Sequence, residues 1–147
     1  MAAVNHLECG DLIEARLKAK ITDFIDVLPI SSLLQLQEKS IRNPSCFVMY
    51  AGDDVREVGL DGKLVKLRQR WLVIVATHHA QGKDKTRNPA GEMMHLVLQT
   101  LLGWQPSTRF NRLKAAAPPK PGYGKAFGYY PLAFETEVNV LGTTQTC

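Results

Sequence analysis

The sequence has 147 residues, 45% of them hydrophobic, and a formal net charge of +4, which predicts one domain with its own core and leaves little room for a second. It contains no run of roughly 20 apolar residues and no basic region followed by an apolar core near its start, which argues against a membrane protein and predicts one kept in a cytoplasm-like compartment. The three cysteines, Cys9, Cys46 and Cys147, are odd in number and widely spaced, which argues against a disulfide framework or a paired-cysteine zinc site.

An amphipathic helix is predicted over residues 11–28. Asp11 and Glu14 near its start suit the positive end of the helix dipole, and Pro29 follows where the helix is expected to end. Apolar residues recur at intervals of three and four along this segment, as on one face of a helix: Ile13, Leu17, Ile21, Phe24 and Leu28.

A less regular stretch leads from this helix to the first predicted strand. Leu34 and Leu36 indicate a short extended segment, and Asn43-Pro44 indicates a turn. Residues 46–51 are rich in β-forming residues and predict a buried strand. Cys46 is expected to serve there as a small apolar residue.

A β-hairpin is predicted next, because residues 53–60 and 63–79 flank Asp61-Gly62, a dipeptide that tolerates the positive φ angles of a tight turn. Its second strand begins as an alternation in which every other residue is a cation, Lys66, Arg68 and Arg70. One face of that half can be buried while the other carries charge. Residues 71–76 are almost continuously apolar and need cover on both faces.

A second helix, a long loop and a last strand complete the chain. Asn88 is the predicted cap of that helix, Pro89 its first residue, and Gly103 its end. Residues 108–128 are rich in Pro, Gly and Lys and predict a loop that is functional or orders on contact with a partner. Residues 130–140 alternate as a half-buried strand does. The predicted fold is a single α+β domain over residues 1–147, with helices packed against a mainly antiparallel sheet, a projecting hairpin around residues 54–71 and the long loop around residues 108–128.

Charge is unevenly distributed along the sequence. Residues 63–125 contain twelve Lys and Arg against two acids, a balance of +10, and the rest of the chain carries −6. This segregation suits a nucleic-acid surface, or a head-to-tail contact between copies of the chain. It also suits a fold that interleaves the two sets into a mixed surface.

No cofactor, metal or catalytic site is predicted. His78 and His79 are adjacent on a strand and point to opposite faces, so they are interpreted as a surface pair. Glu135 and Glu137 share a strand face and are expected to partner Arg68 and Arg70 across the sheet rather than to form a catalytic pair. The glycines of PGYGKAFG lack the pattern of a phosphate-binding loop.

Four segments, in their order and spacing, resemble the tail terminator proteins of long-tailed phages. They are NPSCFVMYAGDD, RQRWLVIVATHH, LLGWQPS and YYPLAFETEV, within a resemblance that spans residues 12–140. The likeness is to the Mu-like prophage minor tail protein family, which is similar to the lambda tail terminator. Pro44, Trp71, Gly103 and Trp104 are the positions of this pattern, and their expected role is structural.

The resemblance implies a structural virion protein without catalysis. It implies a homohexameric ring on the head-proximal end of the tail tube, which stops tube polymerisation and presents a surface to the neck or head-tail connector. Genomic DNA would pass through the lumen without specific recognition. Assembly would take place in the cytoplasm of the bacterial host. The candidate residues for contacts with neighbouring subunits or the tube are Lys66, Arg68, Arg70, Arg109, Arg112 and Tyr123.

Two alternatives come from other functional classes. The basic segment allows a nucleic-acid-binding module, whose affinity would fall steeply with salt. A small hydrolase is the third alternative, for which the sequence offers no recognisable nucleophile motif.

Overall fold

The computed structural model describes residues 4–32, 37–78 and 89–143. Within them the chain forms two helices, α1 (Glu8–Lys20) and α2 (Pro89–Leu101). It also forms six strands: β1 (Asp26–Ile30), β2 (Ser45–Gly59), β3 (Leu64–His78), β4 (Lys114–Ala116), β5 (Gly122–Tyr123) and β6 (Phe127–Leu141). The predictions made for Leu34, Leu36, His79 and Asn88 lie outside the described residues.

All six strands belong to one sheet. Its order is β1-β2-β3-β6-β4, with β5 also paired to β6. β3 occupies one whole edge of β6, so β4 and β5 share the other edge. β1 runs parallel to β2, and every other pair is antiparallel. The α+β class and the mainly antiparallel sheet predicted from the sequence are confirmed.

Both helices pack on the same face of the sheet. Alternate residues of a strand point to opposite faces, so Trp71, Val73 and Val75 of β3 join the helix-side core, whereas Leu72 and Ile74 join a smaller cluster behind the sheet. Every residue from 71 to 77 is buried, which confirms that this half of β3 is covered on both sides. The largest buried side chains of the helix-side core include Phe110, Phe134, Ile13, Leu17 and Leu101.

The predicted helix over residues 11–28 is wrong at its C-terminal end. α1 stops at Lys20, and residues 26–30 form the edge strand β1. Ile21 and Phe24 are buried in the core from the connection between the two elements, so their spacing imitates a helical face. Pro29 lies inside β1 on the sheet edge, where a missing N–H is tolerated.

The predicted loop over residues 108–128 is also wrong in part. It contains β4 and β5, and Phe110 forms a bridge with Val138 of β6. Phe110, Leu113 and Phe127 are buried, because the outer edge of β6 offers both hydrogen-bonding groups and apolar cover. Residues 117–126 remain exposed. Residues 117–121 bulge between β4 and β5, where Pro118, Pro119 and Pro121 cannot donate to a ladder.

Candidate functional site

A three-stranded arm extends the sheet beyond the helices. We define the arm as residues 53–59 of β2, 64–70 of β3 and 136–141 of β6, with the turn at residues 60–63. The Lys63 N–H donates to the Leu60 carbonyl over 3.0 Å, and the central residues Asp61 and Gly62 have φ of 56° and 86°. These are the features of a type I′ turn, as predicted from Asp61-Gly62.

One face of the arm, the ionic face, carries the three predicted cations of β3. Arg68 lies 3.6 Å from Glu135 and 3.8 Å from Asp54, and Lys66 lies 4.0 Å from Glu57. The register also puts Glu137, Arg70 and Lys114 on this face, and the Arg70 guanidinium donates to the Ala117 carbonyl. Four cations of these strands therefore meet four carboxylates, so the positive charge of β3 is compensated by the strands beside it.

The opposite face of the arm, the valine face, is apolar. Val55 stands opposite Leu67, and Val65 of the central strand pairs with Val58 on one side and Val140 on the other. Val55 and Val58 are 63% and 64% exposed, and Val140 is 40% exposed. The valine face lies on the same side of the sheet as the helix-side core. It begins where the helices and Phe110 no longer cover the sheet. A contiguous exposed apolar surface of this kind marks an interaction site.

The outer edge of the arm is poorly suited to strand addition. β1 pairs with β2 only as far as Met49, and no strand within the described residues pairs with the outer edge of residues 51–59. Two register shifts interrupt this stretch, between Tyr50 and Asp53 and between Val55 and Glu57. Bulges and charges on an edge are devices that prevent pairing with another chain, so the arm makes contacts through its faces rather than through its edge.

Leu60, at the tip of the arm, combines exposure with an unfavourable backbone. Its φ is 51° and its side chain is 65% exposed. A leucine in the left-handed region is about 1–2 kcal/mol less stable than in the right-handed one. Because the side chain is exposed, no burial of apolar surface within the subunit offsets this loss. Strained residues of this type occur where the position serves a contact or a switch.

A pocket of about 300 Å³, the α1 pocket, opens near the base of the arm. Its floor is apolar, because Gly10 of α1 leaves room for Trp71, whose ring would lie 2.5 Å from a Cβ at that position. Tyr50 packs against Trp71 with ring centroids 5.3 Å apart. The remaining lining includes Leu7, Asp11, Glu14, Pro29, Ile30 and Val48.

The rim of the α1 pocket is acidic. Burial raises the pKa of Glu14, with Asp11 adding to the rise and Lys18 opposing it. Burial also raises the pKa of the Tyr50 hydroxyl to about 12, with a further rise from Asp53. An apolar, aromatic floor beneath two carboxylates suits a side chain that is apolar at one end and cationic near the rim.

A hydrogen-bond chain fixes the base of the arm to the N-terminal segment. The Trp71 indole donates to Gln69 over 2.7 Å, the Gln69 amide donates to the His6 carbonyl over 3.0 Å, and the His6 imidazole lies 2.6 Å from Asp53. Gln69 is fully buried and is satisfied by this chain. The arm is therefore rigidly joined to the body of the subunit.

The other three candidate residues lie apart from one another. Arg109 binds Glu8 over 2.6 Å, which ties residues after α2 to α1. Arg112 donates to the Gly103 carbonyl over 2.8 Å and lies beside Arg68 in a small polar pocket. Tyr123 is exposed on β5, edge-on to Tyr130. The structure thus brings Lys66, Arg68, Arg70 and Arg112 to one region and leaves Arg109 and Tyr123 outside it.

The valine face was not predicted from the sequence, and the reason is geometric. Val55 and Val58 are three residues apart, so in a regular strand they would point to opposite faces. The register shift at Arg56 turns both to the same face. The sequence signal that could have indicated an apolar tip is the leucine directly before the predicted turn, Leu60.

Comparison with known proteins bears on the whole chain. Neither helix within the described residues is long and apolar enough to cross a membrane, and those residues contain no cluster of three or more metal-binding side chains. The comparison with curated proteins gave no match. A family model, described as phage tail terminator protein, matches residues 4–144, nearly the full length.

Proposed function

The chain belongs to the phage tail terminator family, and from this premise we propose that six copies form a ring on the head-proximal end of the tail tube. The ring stops tube polymerisation and provides the surface to which the neck or head-tail connector joins. Membership of the family supports a structural role in the virion tail. This role needs no catalytic step. The ring assembles on the tail in the cytoplasm of the host.

The exposed valine face is the observation that carries the ring. A single subunit leaves Val55, Val58 and Val140 in water, although burying a valine side chain contributes about 1.5–3 kcal/mol. Repeating such a contact around a closed ring multiplies a modest gain per subunit. The valine face is therefore the surface proposed to contact the neighbouring subunit.

The ionic face suits the lumen of the ring. Its Lys66, Arg68 and Arg70 are matched by carboxylates on the neighbouring strands, so these cations offer DNA a hydrated surface with little net attraction. Genomic DNA could then slide past without specific recognition. The same neutralisation removes support from the alternative of a basic nucleic-acid-binding module, which needs uncompensated cations to displace counterions from phosphates.

Contacts with the tube and the neck are assigned to the remaining exposed elements. Tyr123 and the proline-rich bulge at residues 117–121 stand on the outer edge of β6. Aromatic side chains at exposed edges are common anchors of protein interfaces. Arg109 and Arg112 contribute to the proposed contacts with the tube and the neck indirectly. Their bonds to Glu8 and to the Gly103 carbonyl hold in place the segment that leads into β4.

The test is complementation of a phage that lacks this protein. Wild-type protein is expected to restore tails of uniform length that join heads, as measured by electron microscopy and by the yield of infectious particles. Val58→Asp is expected to abolish both, because a carboxylate cannot be buried in an apolar contact without a partner. Leu102→Asp, at an exposed leucine beyond the end of α2, is the matched control and is expected to behave as wild type.

Two results would contradict the proposal. One is normal tail length and head joining in the complete absence of the protein. The other is full activity of Val58→Asp, which would remove the valine face from the interface.

A further inference from the structure

The α1 pocket and the tip of the arm complement each other in shape and charge. The pocket has an apolar floor formed by Tyr50, Trp71 and Ile30, and its volume of about 300 Å³ can hold a leucine side chain. The tip presents an exposed Leu60. A leucine that is strained and exposed in one copy would be buried in the other.

The charges agree with this match. Asp11 and Glu14 stand at the rim of the pocket, and burial raises the pKa of Glu14, so an incoming cation would stabilise its ionised form. Lys63 is exposed three residues after Leu60, in the same turn. A lysine at this position can bring its ammonium group to the rim while the leucine enters the floor.

The tip cannot reach the pocket of its own subunit. The pocket includes Tyr50, and the arm runs away from it to Gly59 as an extended strand. At about 3.3 Å per residue the tip lies roughly 25–30 Å away. The bulges and charges on the free edge of β2 also disfavour pairing through the backbone. A second copy of the chain is therefore the occupant to which the observations point.

We propose that the α1 pocket receives the turn of the arm from a second copy of this chain, with Leu60 on the apolar floor and Lys63 beside Asp11 and Glu14. This assignment rests on the proposed ring and specifies how neighbouring subunits join. The two surfaces are different parts of the molecule, so the contact is heterologous, and repeated contacts of this kind generate a ring when the rotation closes. The valine face then lies against the neighbour next to the pocket.

Cross-linking on assembled tails tests the contact directly. Leu60→Cys and Ile30→Cys are combined in a Cys147→Ser background and treated with a short thiol-specific cross-linker. Cys9 and Cys46 are buried and burial raises the pKa of both thiols, so they remain unreactive. The expected product is a ladder of linked subunits that extends to the full ring. Each single-cysteine variant is the control and is expected to give no ladder.

A charge exchange gives an independent measurement. Lys63→Glu alone and Glu14→Lys alone are each expected to lower the number of capped tails at least fivefold, and the double variant is expected to recover to within about twofold of wild type. A double variant no better than the worse single variant would overturn the assignment. Normal capping by the two-cysteine protein without cross-linking would overturn it as well.

These outcomes are separable from failure of the proposed function. If wild-type protein fails to restrict tail length in the complementation assay, the ring itself is wrong. If wild-type protein caps tails but residues 60 and 30 do not cross-link, the ring stands and only the partner of the pocket is wrong.

Discussion

At the scale of single residues, Leu60 opposes the stability of its own subunit. Its left-handed backbone is strained and its side chain is exposed, so Leu60→Gly is expected to raise the melting temperature by about 2–4 °C. The same variant is expected to lower the yield of capped tails at least tenfold, because it removes the side chain proposed to fill the α1 pocket of the neighbour. Thermal unfolding of the purified protein and tail counts by electron microscopy measure the two effects.

A residue that contacts a partner is recognised when its substitution raises the melting temperature but lowers the yield of capped tails. Substitution of a residue that supports its own subunit lowers both. Leu102→Ala changes an exposed leucine elsewhere on the surface and is the control, with both quantities expected near the wild-type values. A parallel fall in melting temperature and capping for Leu60→Gly would show that Leu60 supports its own subunit, contrary to the strain argument.

Gly10 is expected to be intolerant of a single added methyl group. An alanine Cβ there would lie 2.5 Å from the Trp71 ring, inside the core of the subunit, so Gly10→Ala is expected to lower the free energy of unfolding by about 1–3 kcal/mol. Gly91 in α2 is the matched helix position, with nothing within 4 Å of its added Cβ. Gly91→Ala is expected to be neutral or slightly stabilising. Urea titration of both variants makes the comparison, and equal effects would contradict the packing of Trp71 against α1.

At the scale of elements, the sequence predicted best where local chemistry decides the structure. Asp61-Gly62 determines the turn, and the continuous apolar run after Arg70 determines which half of β3 is covered on both faces. The order of the two helices and the closing strand followed from periodicity. The cross-strand partnership expected for Glu135 was also confirmed, since it contacts Arg68 over 3.6 Å.

The elements that the sequence misplaced depend on distant contacts. Residues 26–30 become a strand because β2 lies beside them, and β4 and β5 form because β6 has a free edge. Nothing local distinguishes Ile21 and Phe24 from the face of a longer helix. The valine face needed a bulge, which shifts the register by one residue and has no composition signal of its own.

The ionic face is expected to matter little for assembly. Each exposed ion pair contributes about 0.2–1 kcal/mol. Lys66→Gln with Arg68→Gln removes three pairs and is therefore expected to lower the free energy of unfolding by no more than about 3 kcal/mol. This loss should shrink in high salt, because salt screens the pairs. Tail capping is expected to stay within twofold of wild type. A collapse of capping with an intact fold would instead place Lys66 and Arg68 in the interface.

Residues 113–126 are expected to exchange their amide hydrogens unevenly. The Ala126 N–H donates to Glu38 over 2.9 Å, and the Leu113 N–H donates to the Trp104 carbonyl over 2.9 Å, so both should be protected in the free protein. Residues 117–121 are exposed, and Ala117 and Lys120 have the amide hydrogens there because the other three residues are prolines. These two amides should exchange fast when the protein is free and slowly on tails. Hydrogen exchange on both samples measures this. Protection of the Ala117 and Lys120 amides already present in the free protein would rule out ordering on assembly.

At the scale of the whole molecule, a heterologous contact makes each subunit both donor and acceptor. A subunit with an intact pocket but a defective arm can join a growing ring and then offer no arm to the next copy. Leu60→Gly combined with Lys63→Glu creates such a subunit. It is expected to inhibit wild-type protein when the two are expressed together, because one defective member interrupts the ring.

The dose dependence of this inhibition reports on the geometry of the assembly. If all six members must be intact, equal expression leaves about 2% of rings with six wild-type copies, so the count of capped tails should fall far more steeply than the wild-type fraction. Adding Glu14→Lys to the same subunit also damages its pocket, and this variant should be excluded from rings and inhibit much less. Equal inhibition by both variants, or a simple linear dilution, would mean that arm and pocket do not meet in the ring.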